Sequence, residues 1–151
     1  MSLGHADWKL WLLWMVILCL GLLFQSGQAW SQKAPNLSPR EIVELWFQVY
    51  PENIRQAAEL TTTTFREGAS KEQWIATREP YLKNLGLKYI RAKVVHEERV
   101  GPEAHVIVHA HIVTLMGDQP QDERYILISN PDGGWLIDQV EVYTETFNRV
   151  P

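Results

Sequence analysis

The chain is nearly without cysteine: Cys19 is the only one in 151 residues, and it lies inside an apolar run near the N-terminus. Everything after it is cysteine-free, which excludes disulfides, thiolate metal ligands and cysteine nucleophiles from the folded part. Stability must then come from a packed core, and one core suffices at this length. Basic charge is sparse and scattered: 14 Lys and Arg against 18 Asp and Glu give a formal net charge of −4. Phosphate binding needs a basic patch, so nucleic acid is excluded as a main partner. No nucleophile elbow, Gly-rich phosphate loop or His-Glu-x-x-His motif occurs. Internal repeats and low-complexity tracts are lacking too, and no cofactor is expected.

What is present begins with an export signal. Leu10 to Phe24 is an uninterrupted apolar run preceded by Lys9, and Gly27 and Ala29 place small residues at the −3 and −1 positions of a cleavage site. The run has 15 residues, fewer than the roughly 20 that span a bilayer. Cleavage after Ala29 is the expected outcome, and an uncleaved N-terminal anchor is the alternative. Leu18 and Leu20 flank Cys19, whereas a lipoprotein signal would put small residues before the cysteine and end the apolar run there. The domain is expected to be secreted or periplasmic, touching a membrane only through residues 1–29 if these are retained. Residues 30–37 read as a linker and 38–151 as the domain.

Two stretches carry N-terminal helix signatures. In "LSPREIVELWFQVY", Ser38, Pro39 and Glu41 form a capping box with proline where its missing N–H costs nothing. Ile42, Leu45, Trp46, Val49 and Tyr50 recur at helical spacing. Ile54, Ala57, Ala58 and Leu60 predict a short second helix, which the run Thr61 to Thr64 should end because β-branching restricts χ1. Ser70 and Gln73 cap a third helix carrying Trp74, Ile75, Arg78, Tyr81, Leu82 and Leu85, with Gly86 as its stop. Pro80 is expected to kink or divide it near Glu79.

From Leu87 the period falls to 2. "KYIRAKVVHEE", "AHVIVHAHIVTL", "ERYILIS" and "WLIDQVEVYTE" read as strands, separated by turns at "GPE", "MGDQPQ" and "NPDGG". Three helices followed by four antiparallel strands define an α+β domain, its helices covering one face of a curved sheet.

The capped helix, the "AAELTTTTF" segment, "SKEQWIATREPYLKNLG" and a meander closing on Gly134, Trp135, Leu136, Ile137 and Asp138 together resemble the nuclear transport factor 2-like superfamily, the cystatin-like α+β cone. The likeness covers most of Ser38 to Phe147 and is nearest to a small exported bacterial branch of unknown function. It implies a conical cavity between helices and sheet, and it implies no particular reaction. Members that isomerise steroids use a strand-borne carboxylate with tyrosine and acid donors. This chain departs from them, since its first strand carries no acid and Asp138 and Glu141 have opposite parity.

Candidate residues follow, each with a plainer alternative. On the second strand His105, Ile107, His109 and His111 face one way, and the apolar set Val106, Val108, Ala110 and Ile112 faces the other, toward the helices. His109 and His111, about 6.6 Å apart at Cα, could share a metal ion, whereas His105 is about 13 Å from His109. A third ligand would have to come from a neighbouring strand, and a solvated or interface face is the alternative. Trp46, Tyr50, Trp74, Tyr81 and Trp135 are candidates to line a ligand pocket, or are core aromatics. Asp138 is a candidate base with Tyr50 or Tyr81 as donor; otherwise it is a rim carboxylate paired with Arg91 or Arg124. Arg78 is a partner for Asp138, an anion binder, or a stem that snorkels past apolar neighbours. The leading reading is a non-catalytic module that binds a small apolar molecule or a protein partner, with a homodimer through the sheet. An isomerase or cyclase and a metal-binding strand pair are the alternatives.

Overall fold

A computed structural model describes residues 36–143. The export signal read at 1–29, most of the linker at 30–37 and the residues after Tyr143 lie outside the described part. No helix of the described residues is long and apolar enough to cross a membrane.

Helix α1 (Pro39–Val49) starts as its sequence dictates. The Glu41 N–H donates to Ser38 Oγ at 3.3 Å and the Ser38 N–H donates to the Glu41 carboxylate at 2.7 Å. The apolar stripe buries Ile42, Val43, Trp46 and Val49. Helix α2 (Ile54–Glu59) is capped by Asn53 and ends where the threonines begin. There the chain joins the sheet: Thr61 bridges Ile137, and the Thr62 N–H donates to the Ile137 carbonyl at 2.9 Å.

Helix α3 (Lys71–Leu85) has the Ser70/Gln73 box and closes at Gly86 in a left-handed conformation, φ 64°. The division expected at Pro80 does not occur, and the helix runs through it. Pro80 and Ala76 are both exposed. The carbonyl that proline deprives of a partner therefore stands where water can replace it. Gly86 is constrained twice. Its φ disfavours L side chains, and an added Cβ would lie 3.0 Å from Leu115 Cγ. Gly86→Ala should cost about 1–2 kcal/mol, read as a lower urea midpoint at an unchanged m-value.

The sheet has the order β1 (Lys88–Val100), β2 (Glu103–Thr114), β3 (Gly117–Ser129), β4 (Trp135–Tyr143), every pair antiparallel. Helix α1 lies over β1, β2 and β4, α2 packs beside it, and α3 packs against α2. This is the expected α+β class. The turn expected over Met116–Gln121 is much shorter. Leu115 and Met116 alone connect β2 to β3, with Thr114 paired to Gly117. Pro120 then sits within a strand opposite His111. It is tolerated because β4, as described, reaches only Asp122, so no β4 residue needs a donor from Pro120. Strand β1 is an edge, and two irregularities leave Ile90 and Val95 out of register. Such bulges twist an edge away from further pairing.

The concave face is formed by Val106, Val108 and Ala110 of β2, Tyr125 and Leu127 of β3 and Ile137 of β4, all buried. The parity read for β2 holds: its histidines point away from the helices and Ile112 is half-buried.

Candidate functional site

The register of the β2–β3 hairpin sets Glu123 opposite Val108, on the concave face. Glu123 is 1% exposed. Burying a carboxyl group is costly unless its oxygens are bonded, and here they are. The Tyr125 hydroxyl donates to Oε2 at 2.5 Å, the Tyr89 hydroxyl to Oε1 at 3.1 Å, and the Gln121 amide to Oε1 at 2.5 Å. Tyr89 comes from β1 and the other three residues from alternate positions of β3. Phe47 of α1 packs edge-on against both phenols, at 4.9 Å from Tyr89 and 5.6 Å from Tyr125. The result is a polar cluster held under an aromatic lid.

The phenols are held in their neutral form. Desolvation raises Tyr89 and Tyr125 well above the ordinary tyrosine range, and the neighbouring Glu123 charge adds to it. Tyr50, at the end of α1, is pushed up to about 12, chiefly by burial; the Arg78 cation opposes the shift, and Tyr81 and Glu123 reinforce it. Its ring stacks on Trp46 at 4.3 Å. Tyr50 therefore feels both the Glu123 cluster and the Arg78 side of α3.

The residues singled out from sequence fall in several places. Trp46 and Trp74 are core, 3% and 5% exposed, joined through Phe65, whose ring is edge-on to each at 5.5 and 5.9 Å. The indole N–H groups of both are buried without a hydrogen-bond partner among the described residues. Trp135 is half-buried at the start of β4 with the Arg99 guanidinium 5.7 Å from its ring. Tyr81 is exposed on α3 beside Arg78.

Asp138 occupies a β-bulge: Leu127 pairs with Ile137 and Ile126 with Gln139, so Asp138 is skipped. Its expected strand-arginine partner is corrected by the structure. Arg124 pairs with Glu141, and Asp138 accepts from the Thr62 hydroxyl at 2.6 Å. Thr62 in turn accepts from the Phe65 N–H at 3.1 Å. Skipped by the ladder, Asp138 can reach the helix layer and pin the threonine turn to β4. Among the described residues no hydrogen bond joins Asp138 to Tyr50. Asp138→Ala should cost about 1–3 kcal/mol and Asp138→Asn, which keeps an acceptor, less than about 1 kcal/mol; paired urea melts check both.

His109 and His111 stand on the outer face. His109 Nδ1 is 2.5 Å from Asp122 Oδ1 and His111 Nε2 is 3.0 Å from Asp118 Oδ2. Lys93 and Arg91 of β1 pair with the same two positions. Each imidazole has its own carboxylate, and among the described residues no three His, Asp or Glu side chains converge as a metal ligand set.

The Glu123 cluster itself is absent from the sequence reading. In "ERYILIS" both parities carry apolar residues: Tyr125 and Leu127 on one, Ile126 and Ile128 on the other. Periodicity therefore could not select the inner face. The usable signal lay in the two-residue turn, since pairing Thr114 with Gly117 puts Glu123 opposite Val108 of the apolar set.

No family model matches the chain, and no curated protein matches it. Solved structures do. Bd1075 of Bdellovibrio bacteriovorus superposes with a TM-score of 0.55 at 12% identity over 72% of this chain. The match takes in 40% of Bd1075, so the chain spans well under half of that protein. A domain of unknown function with a cystatin-like fold from Nostoc punctiforme gives 0.50 at 13% identity, over 72% of this chain and 74% of that one. An Rd1NTF2 variant gives 0.51 at 12% identity, over 69% and 95%. At these identities the likeness shows the fold alone, an α+β fold of the cystatin-like kind.

Proposed function

We propose that this domain is a non-catalytic binding module, working outside the cytoplasm, that holds a small and mainly apolar molecule in its aromatic cone. One observation carries the reading: the buried Glu123 carboxyl, surrounded by Phe47, Tyr89 and Tyr125, takes all its donors from the protein. Aromatic walls with a few converging polar groups are what small-molecule sites are made of. A general base, by contrast, needs a lone pair within about 2.6–3.2 Å of a substrate proton. Glu123 commits both oxygens to Tyr89, Tyr125 and Gln121, which favours binding over turnover.

Native mass spectrometry of the chain taken from its natural export route tests this. The expected spectrum has an added small-molecule mass that survives gentle ionisation and is reduced in Tyr89→Phe. A bare chain in every charge state would overturn the reading. The same spectrum counts subunits, and so reads the homodimer expected through the sheet, and would show a protein partner. An isomerase or cyclase is the second reading, favoured by the neutral phenols of Tyr89 and Tyr125 beside a carboxyl group. With Asp138 bonded to Thr62, its base would be Glu123. Recovery of the bound molecule in a changed covalent form, read by NMR after incubation, would support that alternative against simple binding.

A further inference from the structure

Apart from the cone, α3 and the turn before it frame an open groove of about 410 Å³, lined by Arg66, Trp74, Thr77, Arg78, Tyr81 and the exposed Glu67. Its charges are arranged unusually. Arg66 is 8% exposed, and its guanidinium donates only to neutral acceptors: the Thr61 carbonyl at 2.6 Å and hydroxyl at 2.9 Å, the Ala69 carbonyl at 3.3 Å, the Thr63 hydroxyl at 3.4 Å and the Ala58 carbonyl at 3.5 Å. Arg40, Arg99 and Arg124 each have a carboxylate within ion-pair distance, whereas among the described residues Arg55, Arg66, Arg78 and Arg91 have none, and of these four only Arg66 is buried. A buried charge without a counter-charge is the exception in folded proteins, because desolvation goes uncompensated.

Arg78 is held in place by two rings. Its guanidinium carbon is 5.7 Å from the Trp74 centroid and 5.7 Å from the Tyr81 centroid, a cation–π geometry that pre-orients the donor fork. Trp74 lines the same groove, and its buried indole N–H has no hydrogen-bond partner among the described residues. The carboxylates nearby are spent or exposed. Glu72 has its carboxyl lowered first by hydrogen bonds to its own backbone and to Ser70, with Lys71 and Arg66 contributing less, and Glu59 is taken by Lys71.

We propose that this groove binds a small planar carboxylate, an aromatic or heteroaromatic acid. The Arg78 guanidinium matches a carboxylate in fork-to-fork geometry, and Arg66, with no carboxylate at ion-pair distance among the described residues, adds a second positive charge. The exposed Tyr81 ring flanks the planar body, the largely buried Trp74 contributes to the wall, and the volume lies within the range of small-molecule sites. This site stands on its own residues and does not depend on the cone being filled.

The test follows the Trp74 indole N–H signal by NMR on the full chain, titrated with 1-naphthoate, its neutral counterpart 1-naphthalenemethanol, and inorganic phosphate. Naphthoate should shift that signal and saturate, with the alcohol and phosphate each roughly tenfold weaker or worse. Arg78→Ala should weaken naphthoate by a similar factor with an unchanged circular dichroism spectrum, and Arg78→Lys should restore only part. Tyr89→Phe, in the cone, should leave the affinity as it was. Equal binding of acid and alcohol would overturn the proposal. So would phosphate matching naphthoate, an Arg78→Ala chain that binds normally, or a Trp74 signal that never moves.

Discussion

Raised through the alkaline range, the folded chain should keep Tyr50, Tyr89 and Tyr125 protonated past the ordinary phenol pKa near 10 and then lose its fold as they ionise. Burial is the first cause of the shift at all three. A folded-state pKa raised above the unfolded value gives stability that is complete below the unfolded pKa and is lost as pH rises through the folded one. For Tyr50 the window runs from about 10 to about 12, and the two-unit shift corresponds to about 2–3 kcal/mol. Tyr89 and Tyr125 shift in the same direction and extend the loss to higher pH. When all three withhold protons together, stability falls by up to about 4 kcal/mol per pH unit. A domain holding about 5–15 kcal/mol then unfolds within a few pH units above 10. Absorbance at 295 nm, followed beside far-UV circular dichroism, should show two classes of tyrosine. Tyr143 ionises in the intact fold, somewhat late because it donates to Glu141. Tyr50, Tyr89 and Tyr125 ionise together with the loss of ellipticity. Five independent phenols titrating in a folded chain would refute the buried cluster.

Glu123→Ala should be among the most destabilising single substitutions in the chain. It strands the hydroxyls of Tyr125 and Tyr89 and the amide of Gln121. An orphaned buried donor costs about 1–3 kcal/mol. Tyr125 is 1% exposed and bears the full cost; Tyr89 and Gln121 are half-buried and recover part of theirs from water. Relief from burying the carboxyl works the other way, but removing one member of a buried network usually leaves the larger penalty behind. The net loss should be about 3–5 kcal/mol, a fall in Tm on the order of 15–20 °C for a domain this size. Glu123→Gln keeps an acceptor and most of the shape, and should cost about 1 kcal/mol. Thermal melts of the two variants decide it. An alanine variant as stable as the parent would mean that the cluster contributes nothing to holding the cone.

Local chemistry alone determined much of this protein. The capping boxes at Ser38 and Ser70, the stop at Gly86 and the helix exit at the threonines rest on interactions within four or five residues, and each formed where the sequence placed it. The change of period at Leu87 announced the sheet, and the apolar parity of Val106, Val108 and Ala110 identified the concave face of β2. Pro80 shows the limit of a local rule. A missing N–H breaks a helix only if the freed carbonyl has no other partner, and exposure of that turn is a tertiary property.

The site was decided elsewhere. Glu123, Tyr89 and Gln121 reach one another only after β1, β2 and β3 are in register, and register follows from a two-residue turn and from bulges that periodicity does not encode. One further bulge set Asp138, a candidate base by sequence, against the Thr62 hydroxyl. Arg66 and Arg78 likewise became a pair only when the turn after α2 folded against α3. Hydrophobic alternation states which residues can be buried together. Which polar groups are buried with them depends on strand pairing across the whole sheet, and that long-range term belongs to the tertiary structure.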